Sequence, residues 1–150
     1  MLRRLIALCL PALAMFAGQT TAQTLQPMQE SAMKAAGGRQ LMAAELRKIY
    51  VGNTHYVMLL KNLGPGKAGA VIANYYRDER ARVQKFSGGD KTESIWWLEG
   101  DIRCVEEKRI TAGHLCYSVW DLGGTLYLCL QPDGDCAMSF RVVPGNPERL

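Results

Sequence analysis

Residues 113–143, GHLCYSVWDLGGTLYLCLQPDGDCAMSFRVV, decide the fold class because two turn sequences, DLGG and PDGD, separate three apolar segments. Successive side chains of a strand point to opposite faces, so every second residue of a segment shares a face. A hairpin that turns on DLGG can place the apolar trios of the first two segments opposite each other. These trios are Leu115, Tyr117, Val119 and Leu126, Leu128, Leu130. The segment therefore predicts consecutive antiparallel strands with one apolar face.

The same pattern extends back to Thr54. Short segments rich in Val, Ile, Tyr, Trp and Leu are broken roughly every eight to twelve residues by Gly, Pro or Asp, which is typical of strands joined by hairpins. We predict strands near residues 54–60, 69–76, 80–86, 93–98, 101–107, 114–120, 125–131 and 135–143. Seven or eight antiparallel strands in about 90 residues are expected to form a small barrel or a sandwich. The fold class is therefore predicted to be mainly β.

One helix is predicted before the strands. Met42, Leu46, Ile49 and Tyr50 recur at helical spacing and form one apolar stripe. A Gly-Asn pair follows and is expected to end the helix. The helix would cover one end or one face of the sheet. Residues 23–38, which contain Pro27 and a Gly-Gly pair, are predicted to be a mobile leader with room for one short helical turn.

Residues 1–22 follow the plan of a secretory signal peptide. Arg3 and Arg4 precede an apolar run over residues 5–17, and small residues lead to an expected cleavage site after Ala22. The apolar run is shorter than the about 20 residues that a membrane-spanning helix needs. We therefore predict an exported protein, periplasmic or secreted, with no membrane span after cleavage.

Cleavage would leave 128 residues, which suffice for one domain over residues 39–150. The loss of Arg3 and Arg4, without any acidic residue, lowers the formal net charge from +4 to +2. A charge so close to balance argues against nucleic acid and other polyanions as partners.

Four cysteines remain after cleavage: Cys104, Cys116, Cys129 and Cys136. An even number of cysteines in an exported chain predicts two disulfide bonds. Spacings of 12, 13 and 7 residues lack the paired CxxC of structural zinc sites.

Strand register leaves two disulfide connectivities open. The DLGG hairpin can bring Cys116 opposite Cys129, and Cys104 would then pair with Cys136. A one-residue shift in the following hairpin can instead oppose Cys129 to Cys136, and Cys104 would then pair with Cys116. Each bond is expected to stabilise the domain by about 2–4 kcal/mol.

No motif predicts a catalytic, metal or cofactor site. His55 and His114 are the only histidines, and each is expected to be an ordinary strand residue. The cysteines are expected to be oxidised, so that none can act as a nucleophilic thiolate. The glycine-rich stretches lack a phosphate-binding fingerprint. The serines considered as nucleophiles lie in neither a GxSxG nor an SxxK motif: Ser87, Ser94, Ser118 and Ser139.

The densest basic cluster is a candidate binding patch. It consists of Arg77, Arg80, Arg82 and Lys85. Such a patch could bind an anionic glycan, a lipid head group or an acidic protein. Because Asp78 and Glu79 interrupt the positive charge, a merely solvated face is the preferred interpretation.

Four stretches resemble a family of small exported alphaproteobacterial proteins that is classed as a domain of unknown function. LMAAELRKIYVGNT is similar to the family's opening, LxxxELxxxYxGxT. WWLEGDIRC, GHLCYSVW and RVVPGNPERL are similar to its tryptophan-bearing strand, its second cysteine strand and its C-terminal Gly-Asn. The resemblance covers residues 39–148. Cys129, Cys136 and the charged RDERAR hairpin depart from the family pattern.

The resemblance implies a periplasmic, mostly β domain and carries no activity. It also implies that Cys104 and Cys116 correspond to the family's recurrent cysteine pair. The resemblance thus favours Cys104–Cys116 with Cys129–Cys136 over the other connectivity.

The function predicted from sequence is a non-catalytic binding module for a small ligand or a protein partner of the cell envelope. Aromatic-rich strands and the lack of a catalytic motif favour it over an enzyme. Exported inhibitors of host lysozymes are similar in size and compartment only, and they are one version of this hypothesis. The alternatives are an enzyme whose carboxylates and histidines meet only in the fold, and a structural or stress-related envelope protein.

Overall fold

Eight antiparallel strands close into a barrel in the computed structural model, which describes residues 25–108 and 111–150. The predicted signal peptide, residues 1–22, lies outside the described residues. The elements in chain order are β1 (Met28–Gln29), α1 (Glu30–Ala35), β2 (Arg39–Gln40), α2 (Ala43–Tyr50), β3 (Asn53–Leu59), β4 (Val71–Tyr76), β5 (Ala81–Phe86), β6 (Lys91–Glu99), β7 (Ile102–Glu106), β8 (His114–Leu122), β9 (Thr125–Leu130) and β10 (Asp135–Pro144).

Each barrel strand from β3 to β9 pairs with the strand that follows it, and β10 pairs back with β3. The result is an up-and-down barrel in which every one of these strands has a neighbour on both sides. The mainly β fold with eight strands is confirmed, and of the two predicted arrangements the barrel is the one present.

The interior face of β8 and β9 agrees with the prediction from residue parity, because Val119 pairs with Leu128 and Tyr117 pairs with Leu130. The predicted opposition of Cys116 and Cys129 is wrong, since Ser118 faces Cys129 instead. The reason is the turn. Gly123 and Gly124 both have positive φ, at 60° and 85°, and form a two-residue turn that Gly-Gly favours and that shifts the register.

Both disulfide bonds join neighbouring strands. Cys104 on β7 lies directly opposite Cys116 on β8 and is bonded to it. Cys129 on β9 is bonded to Cys136 on β10. The sequential connectivity is therefore present, and no side-chain thiol remains among these four residues.

The helix α2 covers the end of the barrel at which β3 begins, here called the closed end. Leu46 and Tyr50 are fully buried in the barrel core. Asp101, in the turn between β6 and β7, accepts a 2.7 Å hydrogen bond from the backbone N–H of Ala43 and anchors the helix start. Met42 does not share the buried stripe that the helical spacing predicted. It precedes the helix and is 53% exposed.

The segment before α2 packs on the outer face of the barrel. β1 pairs with β10 and β2 pairs with β8, so α1 crosses the outside of β9 between them. Met33 of α1 is fully buried against Trp120, Tyr127 and the Cys129–Cys136 bond. The predicted leader contains the one short helical turn, α1, and over residues 25–38 this apolar contact and the strand pairing place the segment against the barrel.

Among the helices formed by the described residues, none has the length and apolar character needed to cross a membrane.

Candidate ligand-binding cavity

The barrel interior contains a cavity of about 510 Å³ in the half away from α2. The end of the barrel where β3 ends and β4 begins, here called the mouth, carries Leu63 and Pro65 at the cavity edge. Apolar side chains from most of the barrel strands form the wall: Val57, Leu59, Ile72, Phe86, Val105, Leu115, Leu128, Leu130 and Met138. Cavities of roughly 300–1,000 Å³ with mostly apolar walls are typical of small-molecule sites.

Aromatic rings fill the barrel next to the closed end, and they explain why the cavity does not continue through it. The Tyr50 ring of α2 lies 4.7 Å from the ring of Tyr76 and 5.3 Å from that of Trp96. The rings of His55 and Phe140 stack at 4.8 Å. These five residues are called the aromatic plug below. The plug closes one end, while the aliphatic side chains nearer the mouth leave space between opposite walls.

Two arginines line the cavity, and Arg103 is the more deeply buried, with 3% of its surface exposed. Its Nη2 donates a 2.5 Å hydrogen bond to the hydroxyl of Tyr76. Its guanidinium carbon lies 5.4–5.6 Å from the ring centroids of Tyr50, Tyr76 and Tyr117. Its Nε is buried and has no hydrogen-bond partner among the described residues.

Arg82 is the second arginine, and 7% of its surface is exposed. Its Nε donates a 2.9 Å hydrogen bond to the hydroxyl of Ser94 on the neighbouring strand. Burial lowers the pKa of Arg82, and the positive charge of Arg103 lowers it further. The two guanidinium groups are thus near enough to repel each other. Arginine nevertheless stays protonated in proteins, so both side chains are buried cations.

Tyrosine hydroxyls also face these cations. Burial alone would lower the pKa of Arg103, but the hydroxyls of Tyr76, Tyr50 and Tyr117 outweigh it and raise that pKa. Burial also raises the pKa of Tyr50 and of Tyr117, so both hydroxyls stay neutral at physiological pH. Tyr50 and Tyr117 stabilise the guanidinium group of Arg103 by ring contacts without neutralising its charge.

The two histidines lie apart and have different environments. His55 of the aromatic plug is 1% exposed and donates a 2.9 Å hydrogen bond from Nε2 to the carbonyl oxygen of Ile49. Burial lowers the pKa of His55 to about 3, so the ring is neutral. His114, at the start of β8, is exposed, and its ring lies 5.7 Å from that of Trp97.

One group of three potential metal ligands occurs within the described parts of the chain, namely Glu99, Cys104 and Cys116. Both sulfur atoms of this group belong to the disulfide bond, so neither is a thiolate that could bind a metal ion.

The basic residues singled out in the sequence are not all on one surface. Arg77 and Arg80 are exposed in the turn between β4 and β5, whereas Arg82 points into the barrel. These three residues also line a shallow depression, which contains the acidic residues Asp78, Glu79, Glu93 and Glu106. Lys85 does not line it. The depression is therefore of mixed charge.

An SxxK spacing occurs at Ser31 and Lys34, where a serine nucleophile and a lysine base would lie one helical turn apart. Both side chains are exposed on α1, outside the barrel wall. Neither residue lines the cavity, so the pair is not part of the candidate site.

Arg103 was missed in the sequence. Its signal is residue parity, since Arg103 shares an inward strand face with Val105 in the stretch IRCVE. Arg82 and Gln84 alternate in the same way on β5 and also line the cavity. A charged residue at an inward position of a barrel strand is the sequence feature that could have identified these cavity residues.

Comparison with known proteins gave no similarity to interpret: no family model, no curated protein and no solved structure matches the chain.

Proposed function

We propose that this protein is an exported binding module that takes up a small, largely apolar molecule in the barrel cavity. The observation that carries the proposal is the cavity of about 510 Å³, which has an aliphatic wall and is closed at one end by the aromatic plug. An apolar molecule in this space would remove both its own surface and the aliphatic wall from water, which is the driving force for its binding. The proposal requires no reactive group in the cavity, because binding an apolar molecule involves no chemical step.

The proposed compartment is the periplasm or the outside of the cell. Two disulfide bonds fit an oxidising compartment, and the signal-peptide pattern of residues 1–22 supports the same proposal. Membership of the exported family described above is proposed on the sequence motifs alone.

The binding proposal is tested with N-phenyl-1-naphthylamine, an uncharged dye whose fluorescence rises in apolar surroundings. We expect saturable binding of one dye molecule per oxidised chain, because the cavity is a single space of small-molecule size. Fluorescence titration measures the affinity and the stoichiometry. A linear, unsaturable signal would contradict the proposal.

Two neighbouring positions on β5 provide a matched pair of variants. Gln84 lines the cavity, and the adjacent Lys85 faces outward on the same strand. Gln84→Trp is expected to fill the cavity and weaken dye binding by about tenfold or more, whereas Lys85→Trp is expected to leave it unchanged. Equal affinity of the two variants, both folded by circular dichroism, would place the dye outside the barrel.

A further inference from the structure

Arg82 and Arg103 lie at the depth of the cavity, between the aliphatic wall and the aromatic plug. Tyr76 of the plug is hydrogen-bonded to Arg103 and pairs with Arg82 across β4 and β5. The cavity thus has positive charge at its inner end and aliphatic side chains toward the mouth. Such a division along one axis matches a molecule with two chemically different ends.

The described residues supply no ion-pair partner for these two arginines, although Glu93 and Glu106 line the shallow depression that Arg82 also lines. Two acidic residues of the described chain line the cavity, Glu107 and Asp135, and both lie at the mouth. Asp135 accepts a hydrogen bond from Lys61. Buried charges are normally paired, because removal of an ion from water is costly without a partner.

The two guanidinium groups also retain hydrogen-bond donors. Each guanidinium carries five N–H donors in a planar fork. Arg82 uses Nε for Ser94 and is also hydrogen-bonded to Tyr76, and Arg103 uses Nη2 for Tyr76. The buried Nε of Arg103 has no acceptor among the described residues. The fork of a guanidinium matches the geometry of a carboxylate, which accepts two parallel N–H hydrogen bonds.

We propose that the ligand of the barrel is a carboxylate amphiphile, whose head group pairs with Arg82 and Arg103 while its aliphatic tail lies against the wall and points to the mouth. This inference rests on the proposed function, because it names the class of molecule that the same cavity binds. The bound carboxylate neutralises charge that Arg82 and Arg103 otherwise hold in mutual repulsion, and it accepts hydrogen bonds from their remaining donors.

The test compares decanoate with decanol by isothermal titration calorimetry on the oxidised chain. The two molecules share an aliphatic tail and differ in the charge of the head group. We expect decanoate to bind about tenfold or more tightly than decanol, since hydrogen bonds to ionised groups exceed those to neutral ones. Decyl phosphate is the third probe. Tighter binding of decyl phosphate than of decanoate would overturn the assignment of a carboxylate.

Variants locate the head group. Arg82→Met and Arg103→Met each remove one charge at similar length, and we expect the preference for decanoate over decanol to fall to about twofold or less. Lys85→Met is the matched control, because it removes one positive charge from the outer face of the strand that carries Arg82; its preference should equal that of the parent chain. If Arg103→Met does not fold, the decanoate preference of Arg82→Met alone tests the inference.

The failure of this inference differs from the failure of the proposed function. Equal affinities for decanoate and decanol, with naphthylamine binding intact, would overturn the carboxylate head group and leave the apolar cavity as the site. No binding of decanoate, decanol or naphthylamine would overturn both. A decanoate preference that persists in both arginine variants would move the head group away from these residues.

Discussion

Replacement of the four bonded cysteines by alanine is expected to lower the free energy of unfolding by about 5 kcal/mol. The Cys104–Cys116 and Cys129–Cys136 bonds span 12 and 7 residues, and each closes a short loop in the unfolded chain. The chain-entropy relation gives about 2.5–3 kcal/mol for loops of this size. Because domains of this length have about 5–15 kcal/mol of stability in total, the variant should be marginally folded or unfolded at 37 °C.

The two disulfide bonds can be separated by pairwise replacement. Cys104→Ala with Cys116→Ala, and Cys129→Ala with Cys136→Ala, should each lose about half of the total, measured by guanidinium unfolding of the non-reduced proteins. Each of the two bonds joins neighbouring strands, so the size of the closed loop is the main difference between them. An unfolding midpoint of the fourfold variant equal to that of the parent chain would show that the bonds contribute nothing.

A steep loss of stability between pH 6.5 and pH 4 is the second large effect that we expect, and His55 is its origin. Burial lowers the pKa of His55 to about 3, whereas the ring is free to take up a proton near pH 6.5 in the unfolded chain. Below pH 6.5 the unfolded chain therefore binds a proton that the folded barrel excludes. The contribution of His55 to the free energy of unfolding is fully present above about pH 6.5. It falls by about 1.4 kcal/mol per pH unit below that pH, and the loss is about 3 kcal/mol at pH 4.

The matched variant is His55→Gln, which removes the titrating ring and retains a side-chain N–H near the carbonyl oxygen of Ile49. Its unfolding free energy should change less steeply over the same pH range. Exposed carboxylates such as those of Glu45 and Asp78 also have lowered pKa values, but they are common to both proteins and cancel in the difference. Identical pH profiles for the two proteins would exclude His55 as the origin.

The barrel strands were predictable because their signals are local. Each strand from β3 to β10 is a short alternating or apolar segment with Gly, Pro or Asp at its ends, and such patterns depend on neighbours a few residues away. The choice between barrel and sandwich depends on whether β10 meets β3. That contact joins Met138 to Leu59 and Pro144 to Asn53, and no local pattern in the sequence encodes it.

The register of the β8–β9 hairpin shows the limit of a local prediction. DLGG allows a two-residue turn at Leu122-Gly123 or at Gly123-Gly124, and these alternatives differ in which residue faces Cys129. Glycine adopts positive φ without the steric cost that leucine meets. The turn therefore forms at Gly123 and Gly124, and this preference could have been weighed in the sequence.

The inner end of the cavity was harder to predict. Arg82 stood out in the sequence as part of a basic run, yet its neighbours Arg77 and Arg80 are on an exposed turn. Arg82 and Arg103 are distant in sequence, and they meet only when β5 and β7 curve around the same axis. Parity assigns each residue to a face of its own strand, whereas the closure of the barrel decides which faces converge.

The strand connections of the closed barrel also determine the order in which its parts can assemble. Both disulfide bonds lie within hairpins of consecutive strands, so each can form once a single hairpin has folded. The correct disulfide bonds can therefore form before the long-range contact between β3 and β10. Once they have formed, their cysteines are no longer available for the competing pairings. Before β10 pairs with them, β3 and β9 have unpaired backbone edges. The chain is therefore most prone to associate with other copies before the barrel closes.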